Sequence, residues 1–317
     1  MSINIKKEEI DLAYGVVKQF CHNTPVLSSL SINIIAGCEL FFKCENFQKI
    51  GAFKMRGAAY ALSKLTANEK QNGVITHSSG NHAQAVALAA KLQGIKAEIV
   101  MPRTAPRVKV KGVESYGGKI TFCEPTISAR QETVDQIKSR TKATFIPPYD
   151  HKDIITGQAT CAKELLEEKP EIEVLICPVG GGGLLSGTIL ASDFYGNKTK
   201  VYAGEPEEVD DAYRSIKSGK IEKNKTTNTI ADGLKTDLGE LNFSIIKDGV
   251  EKILLVNEAE IKSVMRLIWE RMKIIIEPSC AVPLAAILRN KELFKNKKVG
   301  VILTGGNVDL DKFFKTI

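Results

Sequence analysis

Short apolar runs recur along the chain, and each is followed by glycines or by a longer amphipathic segment. The clearest runs are residues 99–102, Val174–Pro178 and residues 299–303, which are rich in Val and Ile. Runs of this length and composition predict buried strands. The amphipathic segments between them predict helices that cover the faces of parallel sheets, so we expect an α/β fold.

Two segments show the periodicity of amphipathic helices. Residues 83–92 carry an apolar face and stop shortly before Gly94, a residue type that commonly ends helices. Residues 257–272 begin with Asn257, and Glu260 follows three residues later, which is the spacing of a capping box. Both segments are long enough to cross one face of a sheet.

The chain has 317 residues, about twice the usual size of a domain, which predicts two domains or one large α/β unit. Hydrophobic residues make up 43% of the chain and charged residues 26%, the balance of an ordinary globular protein. No repeat or low-complexity linker separates two halves. Residues 68–73 and the pair Pro147-Pro148 are predicted to form turns near the edges of a smaller domain.

The charge pattern argues against nucleic acid as a partner. The net charge is +7, but the basic residues are spread along the chain and only 6% of residues are aromatic. No run approaches the ~18 apolar residues of a membrane span, and residues 1–10 lack an apolar leader. Seven cysteines without a CxxC pair predict reduced thiols rather than a zinc site or disulfides. We therefore expect a cytoplasmic protein that binds neither nucleic acid nor membrane.

Four consecutive glycines, Gly180-Gly181-Gly182-Gly183, lie between the run that ends at Pro178 and a predicted helix. Glycines let backbone N–H groups turn toward an anion, and the N-terminus of the next helix adds its positive dipole end. The spacing fails GxGxxG, and the lysine of a P-loop is missing. A tight turn is the ordinary structural explanation, but one or two glycines would suffice for it. We therefore predict a phosphate-binding loop.

A glycine-flanked basic segment between Gly51 and Gly57 contains Lys54 among apolar neighbours. Apolar surroundings disfavour the charged form of an amine, and the neutral amine is the form that condenses with an aldehyde. Lys54 is therefore a candidate nucleophile. By itself this signal is weak, because a lone lysine beside Arg56 is far more often the exposed start of a helix.

Two polar loops complete the candidate site. Hydroxyl, amide and imidazole groups cluster at a predicted helix N-terminus in the segment Ser78-Ser79-Gly80-Asn81-His82. They could hold a ring oxygen or a carboxylate, although helix capping and a packed core histidine explain them as well. The turn Thr304-Gly305-Gly306-Asn307 follows the last predicted strand. Because open α/β sheets place ligands at the carboxyl ends of strands, we expect these loops to converge.

Taken in order, the Phe53-Lys54 segment, the Ser78–His82 segment, the four glycines and the turn after Leu303 resemble the tryptophan-synthase-β-like, fold type II group of pyridoxal phosphate enzymes. Within that group the chain is most similar to serine racemases and threonine/serine dehydratases. The resemblance implies two open twisted α/β domains with the cofactor in the cleft between them. Residues 1–63 and 153–317 would form the large cofactor-binding domain and residues 64–152 the small one. It also implies a homodimer.

The resemblance also assigns roles to individual residues. Lys54 would carry pyridoxal phosphate as a Schiff base, Phe53 would pack against its ring, and Asn81 would bond its ring hydroxyl. The neutral hydroxyl of Thr304 would face the pyridine nitrogen, which leaves a weak electron sink and discourages transamination. The implied cofactor site consists of Phe53, Lys54, Asn81, Gly180, Gly181, Gly182, Gly183, Leu184, Gly233, Glu277 and Thr304. The implied substrate contacts are Ser78, Ser79, Asn81, His82 and Arg130.

The implied activity is conversion of L-serine to D-serine, together with elimination from serine or threonine to a 2-oxo acid and ammonia. Lys54 and Ser79 would be the two catalytic residues, on opposite faces of the substrate. Ser79 matters because simple threonine dehydratases commonly have Ala there, although capping is its alternative role. A dehydratase with negligible racemase activity therefore remains an alternative. An inactive nucleotide-binding or scaffold protein is the alternative from another class.

Two further sites follow from the resemblance. Glu205, the Val209 carbonyl and Asp211 would hold a structural Mg²⁺ or Ca²⁺, since hard oxygens suit these ions. An effector site for a nucleotide such as ATP would involve Ser29, Lys49, Gln84 and Tyr116. Arg130 could equally be a solvated helix residue. The sequence departs from animal serine racemases at residues 147–149, where Pro-Pro-Tyr stands in place of His-Pro-Asn.

Overall fold

Two sheets organise the chain in a computed structural model that describes residues 4–105 and 107–310. The larger sheet has six strands in the order β1-β2-β10-β7-β8-β9, and every neighbouring pair except β1–β2 is parallel. The smaller sheet has four parallel strands in the order β5-β4-β3-β6. The strands are β1 (Val26–Leu27), β2 (Glu39–Cys44), β3 (Val74–His77), β4 (Ala97–Pro102), β5 (Lys119–Cys123), β6 (Thr144–Phe145), β7 (Val174–Pro178), β8 (Lys200–Pro206), β9 (Lys252–Val256) and β10 (Lys298–Leu303).

Helices surround both sheets. They are α1 (Lys7–Phe20), α2 (Leu30–Ala36), α3 (Lys54–Ser63), α4 (Ala67–Asn72), α5 (Asn81–Leu92), α6 (Arg107–Ser115), α7 (Ile127–Thr141), α8 (Lys152–Glu168), α9 (Gly183–Tyr195), α10 (Asp211–Ser218), α11 (Glu240–Gly249), α12 (Glu258–Met272), α13 (Pro278–Arg289) and α14 (Lys291–Phe294). Short 3₁₀ turns cover Glu45–Phe47, Lys49–Gly51, Glu207–Val209 and Asp232–Leu234. The predicted α/β class with two open parallel sheets is confirmed.

The three strands predicted from apolar runs are present as β4, β7 and β10, although β4 begins two residues earlier than predicted. Helices α5 and α12 confirm the two predicted helices. The N–H of Glu260 donates to Asn257 Oδ1 at 2.9 Å, and Glu260 Oε2 accepts from the N–H of Asn257 at 2.8 Å. The capping box at this helix start is therefore formed as predicted.

The turn predicted at residues 68–73 is wrong, because these residues belong almost entirely to helix α4. Thr66 caps this helix, and the side chain of Glu69 accepts a hydrogen bond from the N–H of Thr66 at 2.8 Å. Gly73, at a φ of +86°, then ends the helix. The polar residues that suggested a turn are thus the exposed face and the end of a short capped helix.

The strands of the smaller sheet lie between Val74 and Phe145, and all others lie outside that interval. The domain bounds at residues 63–64 and 152–153 remain predictions, and residues 1–3 and 311–317 lie outside the described part of the chain. None of the seven cysteines forms a disulfide, and all but Cys21 are buried, as expected. No helix within residues 4–105 and 107–310 has the length and apolar character needed to cross a bilayer.

A buried cluster of four charges anchors the beginning of α3. The guanidinium of Arg56 bonds Glu45 at 2.8 Å and Glu164 at 2.6 Å, and Lys43 Nζ lies 2.8 Å from Glu164. The side chains of Arg56, Glu45 and Lys43 are fully buried, and that of Glu164 is 4% exposed. Two cations and two anions balance, so each ion has the partner that burial requires. The cluster ties the end of β2 to α3 and α8.

We predict that Arg56→Met lowers the free energy of unfolding by about 3–5 kcal/mol, because it leaves two buried carboxylates to share one cation. Urea denaturation measures the change. The matched control is Arg266→Met, since Arg266 is 81% exposed in its pair with Glu270 and such a pair contributes at most about 1 kcal/mol. Equal losses in the two variants would show that the buried cluster does not stabilise this part of the fold.

Candidate active site

Lys54 lies at the first position of α3, just beyond the carboxyl end of β2. Its half-buried amine donates a hydrogen bond to the carbonyl of Pro148 at 2.7 Å and lies 5.2 Å from the centre of the Phe53 ring. Burial lowers the pKa of Lys54 to about 8. A large share of this amine is therefore neutral near pH 8, which is the form that attacks a carbonyl carbon. The alternative of an exposed helix start does not describe this lysine.

The segment before Lys54 is held against the turn after β10. The N–H of Phe53 donates to the carbonyl of Thr304 at 3.0 Å, and the N–H of Gly306 donates to the carbonyl of Gly51 at 2.9 Å. Ala52 also pairs with the residue that follows Thr304 in an isolated antiparallel bridge. Two of the four predicted loops therefore meet at the carboxyl ends of β2 and β10, as expected for neighbouring parallel strands.

The four glycines form the connection from β7 to α9. At Gly181, an added Cβ would lie 2.4 Å from the ring of Tyr149, which covers this residue. The carbonyl of Gly181 accepts hydrogen bonds from the N–H of Gly239 at 3.2 Å and from Asn242 Nδ2 at 2.9 Å. Gly182 adopts a φ of +93° immediately before the helix. The first N–H groups of α9 have no partner within the helix, so they remain available to an anion.

Packing accounts for the number of glycines in this loop, so their excess does not by itself indicate phosphate binding as predicted. All four glycines are packed so closely that an added Cβ would come within 3.1 Å of another atom. Close packing alone therefore explains why more than one or two glycines are present. Two other features still favour phosphate. The N-terminus of α9 lies at the end of the loop, and the loop contacts Tyr149, whose neighbour Pro148 accepts the hydrogen bond from Lys54.

The parts of the molecule built on the smaller and the larger sheet are called here the smaller and the larger lobe. A chain of hydrogen-bonded polar side chains near Lys54 joins them. Asn307 Nδ2 donates to Asn81 Oδ1 at 2.9 Å, and Asn81 Nδ2 donates to Glu277 Oε1 at 2.8 Å. Glu277 is buried, and desolvation together with the negative charge of Asp232 raises its pKa to about 8. Its carboxyl group is therefore largely protonated at pH 7. This chain brings the third predicted loop to the other two.

Two buried polar atoms in this region have no hydrogen-bond partner among the described residues. They are the hydroxyl oxygen of Thr304 and Oε2 of Glu277. Native structures rarely leave such atoms unsatisfied, so both are suited to a polar ligand. A nucleophilic amine, a helix N-terminus and a free buried hydroxyl are the groups that an aldehyde, a phosphate and a ring nitrogen require. The residues present therefore fit pyridoxal phosphate.

The comparisons with known proteins agree with this geometry. Residues 17–305 match the family described as "Pyridoxal-phosphate dependent enzyme". The chain belongs to this family. It is 48% identical to a protein named beta-hydroxyaspartate dehydratase from Paracoccus denitrificans, covering 96% of this chain and 97% of that protein. It is 47% identical to a serine racemase from Dictyostelium discoideum, covering 98% and 97%.

The maize serine racemase structure is 43% identical, covers 98% of this chain and 95% of its own, and superposes with a TM-score of 0.95. These relatives confirm the predicted family, its fold and the enzyme class, a pyridoxal phosphate-dependent isomerase or lyase. The alternative of an inactive scaffold protein loses its basis. The roles of individual residues are not tested by these likenesses, so they remain predictions about this pyridoxal phosphate enzyme.

The predicted substrate residues lie on the small-sheet side of the cleft. Ser78 and Ser79 are half-buried in the loop between β3 and α5. Ser78 Oγ accepts the N–H of Gly80 at 3.2 Å, whereas Ser79 Oγ makes no hydrogen bond within the described residues. Ser78 thus stabilises the turn before α5 and does not cap the helix, since the N-cap is Gly80 and no side-chain cap bond is formed, and Ser79 is left available.

His82 and Arg130 differ in their surroundings. His82 is buried, a ring nitrogen lies 3.0 Å from the carbonyl of Ile146, and burial lowers its pKa to about 3. It is therefore neutral at physiological pH and packed in the core. Arg130 lies on α7, and its buried Nε has no partner among the described residues. Its charge lowers the pKa of His77, a residue already affected by burial.

The predicted cation ligands lie together at the carboxyl end of β8. Glu205 is fully buried and accepts two backbone N–H groups from the start of α10. Asp211 Oδ2 accepts the N–H of Leu238 at 2.7 Å, and Asp211 Oδ1 has no described partner. Burial and the nearby Asp211 raise the pKa of Glu205, and burial raises that of Asp211 to about 6. Among the described residues, no cluster of three or more His, Cys, Asp or Glu is arranged for a metal.

The predicted nucleotide-effector residues are only partly brought together. Gln84 is buried on α5, which packs against both α6 and the turn that contains Lys49, and Tyr116 follows α6. Ser29 precedes α2, which packs on β2 and α13 of the larger sheet. No hydrogen bond within the described part of the chain joins Ser29 to the other three. The nucleotide site remains a prediction.

Several residues at the site were not predicted. They are the carbonyl of Pro148, the ring of Tyr149, Asn242, and the pair Lys109 and Asp232. Pro148 and Tyr149 contribute a backbone oxygen and a packing surface, for which no sequence motif exists. The others act through contacts between distant parts of the chain. Of these, Pro148 lies in the turn predicted at Pro147-Pro148, and Tyr149 follows it directly.

We predict that Gly182→Ala weakens binding of pyridoxal phosphate by about 1–3 kcal/mol through overpacking. The added Cβ would lie 2.7 Å from both Asn242 and Leu238, in the layer that holds the loop. Absorbance titration of the cofactor-free protein gives the affinity. Gly219→Ala is the control, because Gly219 also has a positive φ, of +74°, but open space around it. Equal affinities of the two variants would contradict the assignment of this loop.

Proposed function

We propose that the chain is a serine racemase that also eliminates water from serine and threonine to give 2-oxo acids and ammonia. One observation supports this most directly. The Lys54 amine bonds Pro148, and the next residue, Tyr149, covers Gly181 of the glycine loop. Two consecutive residues, Pro148 and Tyr149, thus connect the candidate nucleophile with the candidate phosphate site. Relatives named as racemases and as dehydratases agree with the two activities predicted from the sequence.

Pyridoxal phosphate, when bound, supplies an electron sink that stabilises negative charge at the substrate Cα. The chain's own groups would then move the protons. Lys54, with its lowered pKa, is suited to remove the Cα proton and to return it. Asn81 and Glu277 would orient the ring, and Phe53 would pack against it. Thr304 would bond the ring nitrogen through its unpartnered hydroxyl.

Ser79 is the proposed second acid and base. It belongs to the loop after β3 in the smaller sheet, whereas Lys54 follows β2 in the larger one, so the two approach the cleft from different lobes. Its hydroxyl is half-buried and free of hydrogen bonds within the described residues. A proton delivered from this side would invert the Cα centre, whereas loss of the β-hydroxyl first would lead to elimination.

Elimination from a β-hydroxyaspartate is a second candidate activity. Arg130 supports it, because its buried Nε lacks a partner and its charge would suit a second carboxylate. A relative named for this activity is also among the similar proteins. The test compares kcat/KM for L-serine and for 3-hydroxyaspartate in the wild type and in Arg130→Met, and it decides between the two candidate activities. A selective loss with 3-hydroxyaspartate supports this candidate, and equal effects on both substrates exclude a carboxylate-binding role for Arg130.

We also propose a structural Mg²⁺ or Ca²⁺ at Glu205, the Val209 carbonyl and Asp211. Two buried carboxylates repel each other, and the free Oδ1 of Asp211 offers a hard ligand atom that a divalent cation would satisfy. Water molecules would complete the coordination. Thermal unfolding with and without added Mg²⁺ is the test. Stabilisation of the wild type but not of Asp211→Asn supports the site, whereas no stabilisation of the wild type excludes it.

A homodimer is proposed from the surface of α2. Leu30 and Ile34 lie one helical turn apart and are 76% and 73% exposed. Two large apolar side chains on one face are costly to leave in water. Sedimentation should give twice the chain mass of 34.7 kDa, and a monomer at assay concentration would rule the dimer out. A cytoplasmic location is consistent with seven unpaired thiols and stays a proposal.

We predict that Ser79→Ala lowers D-serine formation from L-serine by at least about 100-fold, the usual contribution of a positioned acid or base, while pyruvate formation persists. Both products are followed in one assay. Ser128→Ala is the control, since Ser128 is an exposed residue on α7. A parallel fall of both products in Ser79→Ala would contradict the role of Ser79 as second base. Absence of both products from the wild type would overturn the proposed function.

A further inference from the structure

An ion pair crosses the cleft between the two lobes. Lys109, on helix α6 beside the smaller sheet, pairs with Asp232 in the 3₁₀ turn that precedes α11. The side chain of Lys109 is only 9% exposed, whereas that of Asp232 is 44% exposed. The pairs His151–Asp153 and Lys152–Glu9, by contrast, lie where the chain itself crosses between the lobes. The lysine is buried because it reaches across to the other lobe.

The turn that carries Asp232 also supports the glycine loop. The N–H of Gly233 donates to Ser279 Oγ at 3.1 Å, near the start of α13. An added Cβ at Gly180 would lie 3.0 Å from Cα of Leu234, so the turn lies directly against the first glycine of the loop. Asp232 is thus held in a fixed position beside the proposed phosphate site.

The helix that carries Lys109 is coupled to the proposed substrate loop. Helix α6 packs against α5, and an added Cβ at Gly112 would lie 2.4 Å from Gln84 Oε1. Helix α5 begins at Asn81, directly after the segment that contains Ser79. Lys109 is therefore connected through α6 and α5 to the loop that contains Ser79.

We propose that the Lys109–Asp232 pair is a latch that holds the cleft closed over the cofactor, and that Lys109 is a positioning residue for the reaction. This inference rests on the proposed function. A closed cleft keeps water away from the reacting atoms and keeps Ser79 in register with Lys54. Opening the cleft exposes Lys109 to water and separates it from its partner. The pair therefore biases the two lobes toward the closed arrangement.

The two residues of the latch act in opposite directions on Glu277. Burial and Asp232 raise the pKa of Glu277, whereas the positive charge of Lys109 lowers it. Hydrogen bonds from Asn81 and from the backbone of Asn307 also lower it. Removing Lys109 should therefore raise the pKa of Glu277 further above about 8, and removing the charge of Asp232 should bring it down. The pH dependence of the reaction therefore reports the charges of the pair, and access of a reagent to the cofactor reports whether the pair holds the cleft closed.

The test compares Lys109→Met, Asp232→Asn, the double variant and Lys109→Arg in the protein loaded with pyridoxal phosphate. Hydroxylamine, a small nucleophile, reports how easily the cofactor is reached from solvent. Each single neutral variant should react about five- to tenfold faster than the wild type, and the double variant no faster than either single one, as expected for residues that act as one pair. Lys109→Arg should stay close to the wild type.

Lys119→Met is the matched control, because Lys119 forms an exposed pair with Glu98 inside the smaller lobe. It should leave the hydroxylamine rate unchanged. The pH dependence of kcat/KM should shift to higher pH in Lys109→Met and to lower pH in Asp232→Asn, following the pKa of Glu277. Unchanged hydroxylamine rates in both single variants, or shifts of both profiles in the same direction, would overturn the latch.

Two outcomes keep this proposal separate from the proposed function. If the loaded protein converts neither serine nor threonine, the hydroxylamine rates still test the latch, since they need no turnover. Hydrogen exchange of residues 107–115 in the cofactor-free protein provides a second measurement. Faster exchange there in Lys109→Met than in Lys119→Met supports the latch, and equal exchange refutes it.

Discussion

The hydrogen bond from the Lys54 amine to the carbonyl of Pro148 is the contact on which the site depends. It connects the first residue of α3, which follows β2 of the larger sheet along the chain, with the segment that leaves the smaller sheet. Because it involves a half-buried amine and a backbone carbonyl, it holds the lysine without supplying a negative charge. The pKa of the amine is therefore lowered by burial, to about 8, rather than raised by an ion pair. A lysine paired with a carboxylate would remain protonated and could not act as a nucleophile.

Charge is distributed around this lysine in two different ways. Two residues further along α3, Arg56 lies in a fully paired cluster whose role is to fix the helix. On the cleft side, by contrast, the hydroxyl of Thr304 and one oxygen of Glu277 have no described partner. The orphaned oxygen of Asp211 and the orphaned nitrogen of Arg130 lie at the other predicted ligand positions. Unsatisfied polar atoms therefore occur at four of the positions proposed to contact ligands, whereas the charges that fix α3 are paired.

Local sequence patterns were sufficient for features that depend on neighbouring residues. The strand at Val174–Pro178, the capping box at Asn257 and the loops at the ends of β7 and β10 are of this kind. Convergence of the loops also followed from a general property of parallel sheets. The helix at residues 67–72 is not evident from the sequence, because the residues after its cap Thr66 are of types that also form turns. Its six residues were too few to show an apolar face.

Contacts between distant segments could not be predicted in the same way. The carbonyl of Pro148 has no side-chain signature, and 94 positions separate it from Lys54. Lys109 and Asp232 are 123 positions apart and look like ordinary surface charges in the sequence. The glycine loop combines both kinds of information. Its composition is visible in the sequence, but the close packing that requires four glycines comes from distant segments. Tyr149 and Asn242 exclude side chains from the loop, and neither neighbour can be inferred from the loop itself.

Covalent attachment of the cofactor to Lys54 is the central claim. Reduction of the loaded protein with borohydride, followed by peptide mapping, tests it directly. We expect a single labelled peptide that contains Lys54, and no label at that peptide in Lys54→Arg. A label on another lysine, or a protein that remains colourless and unlabelled in the presence of pyridoxal phosphate, would contradict the account.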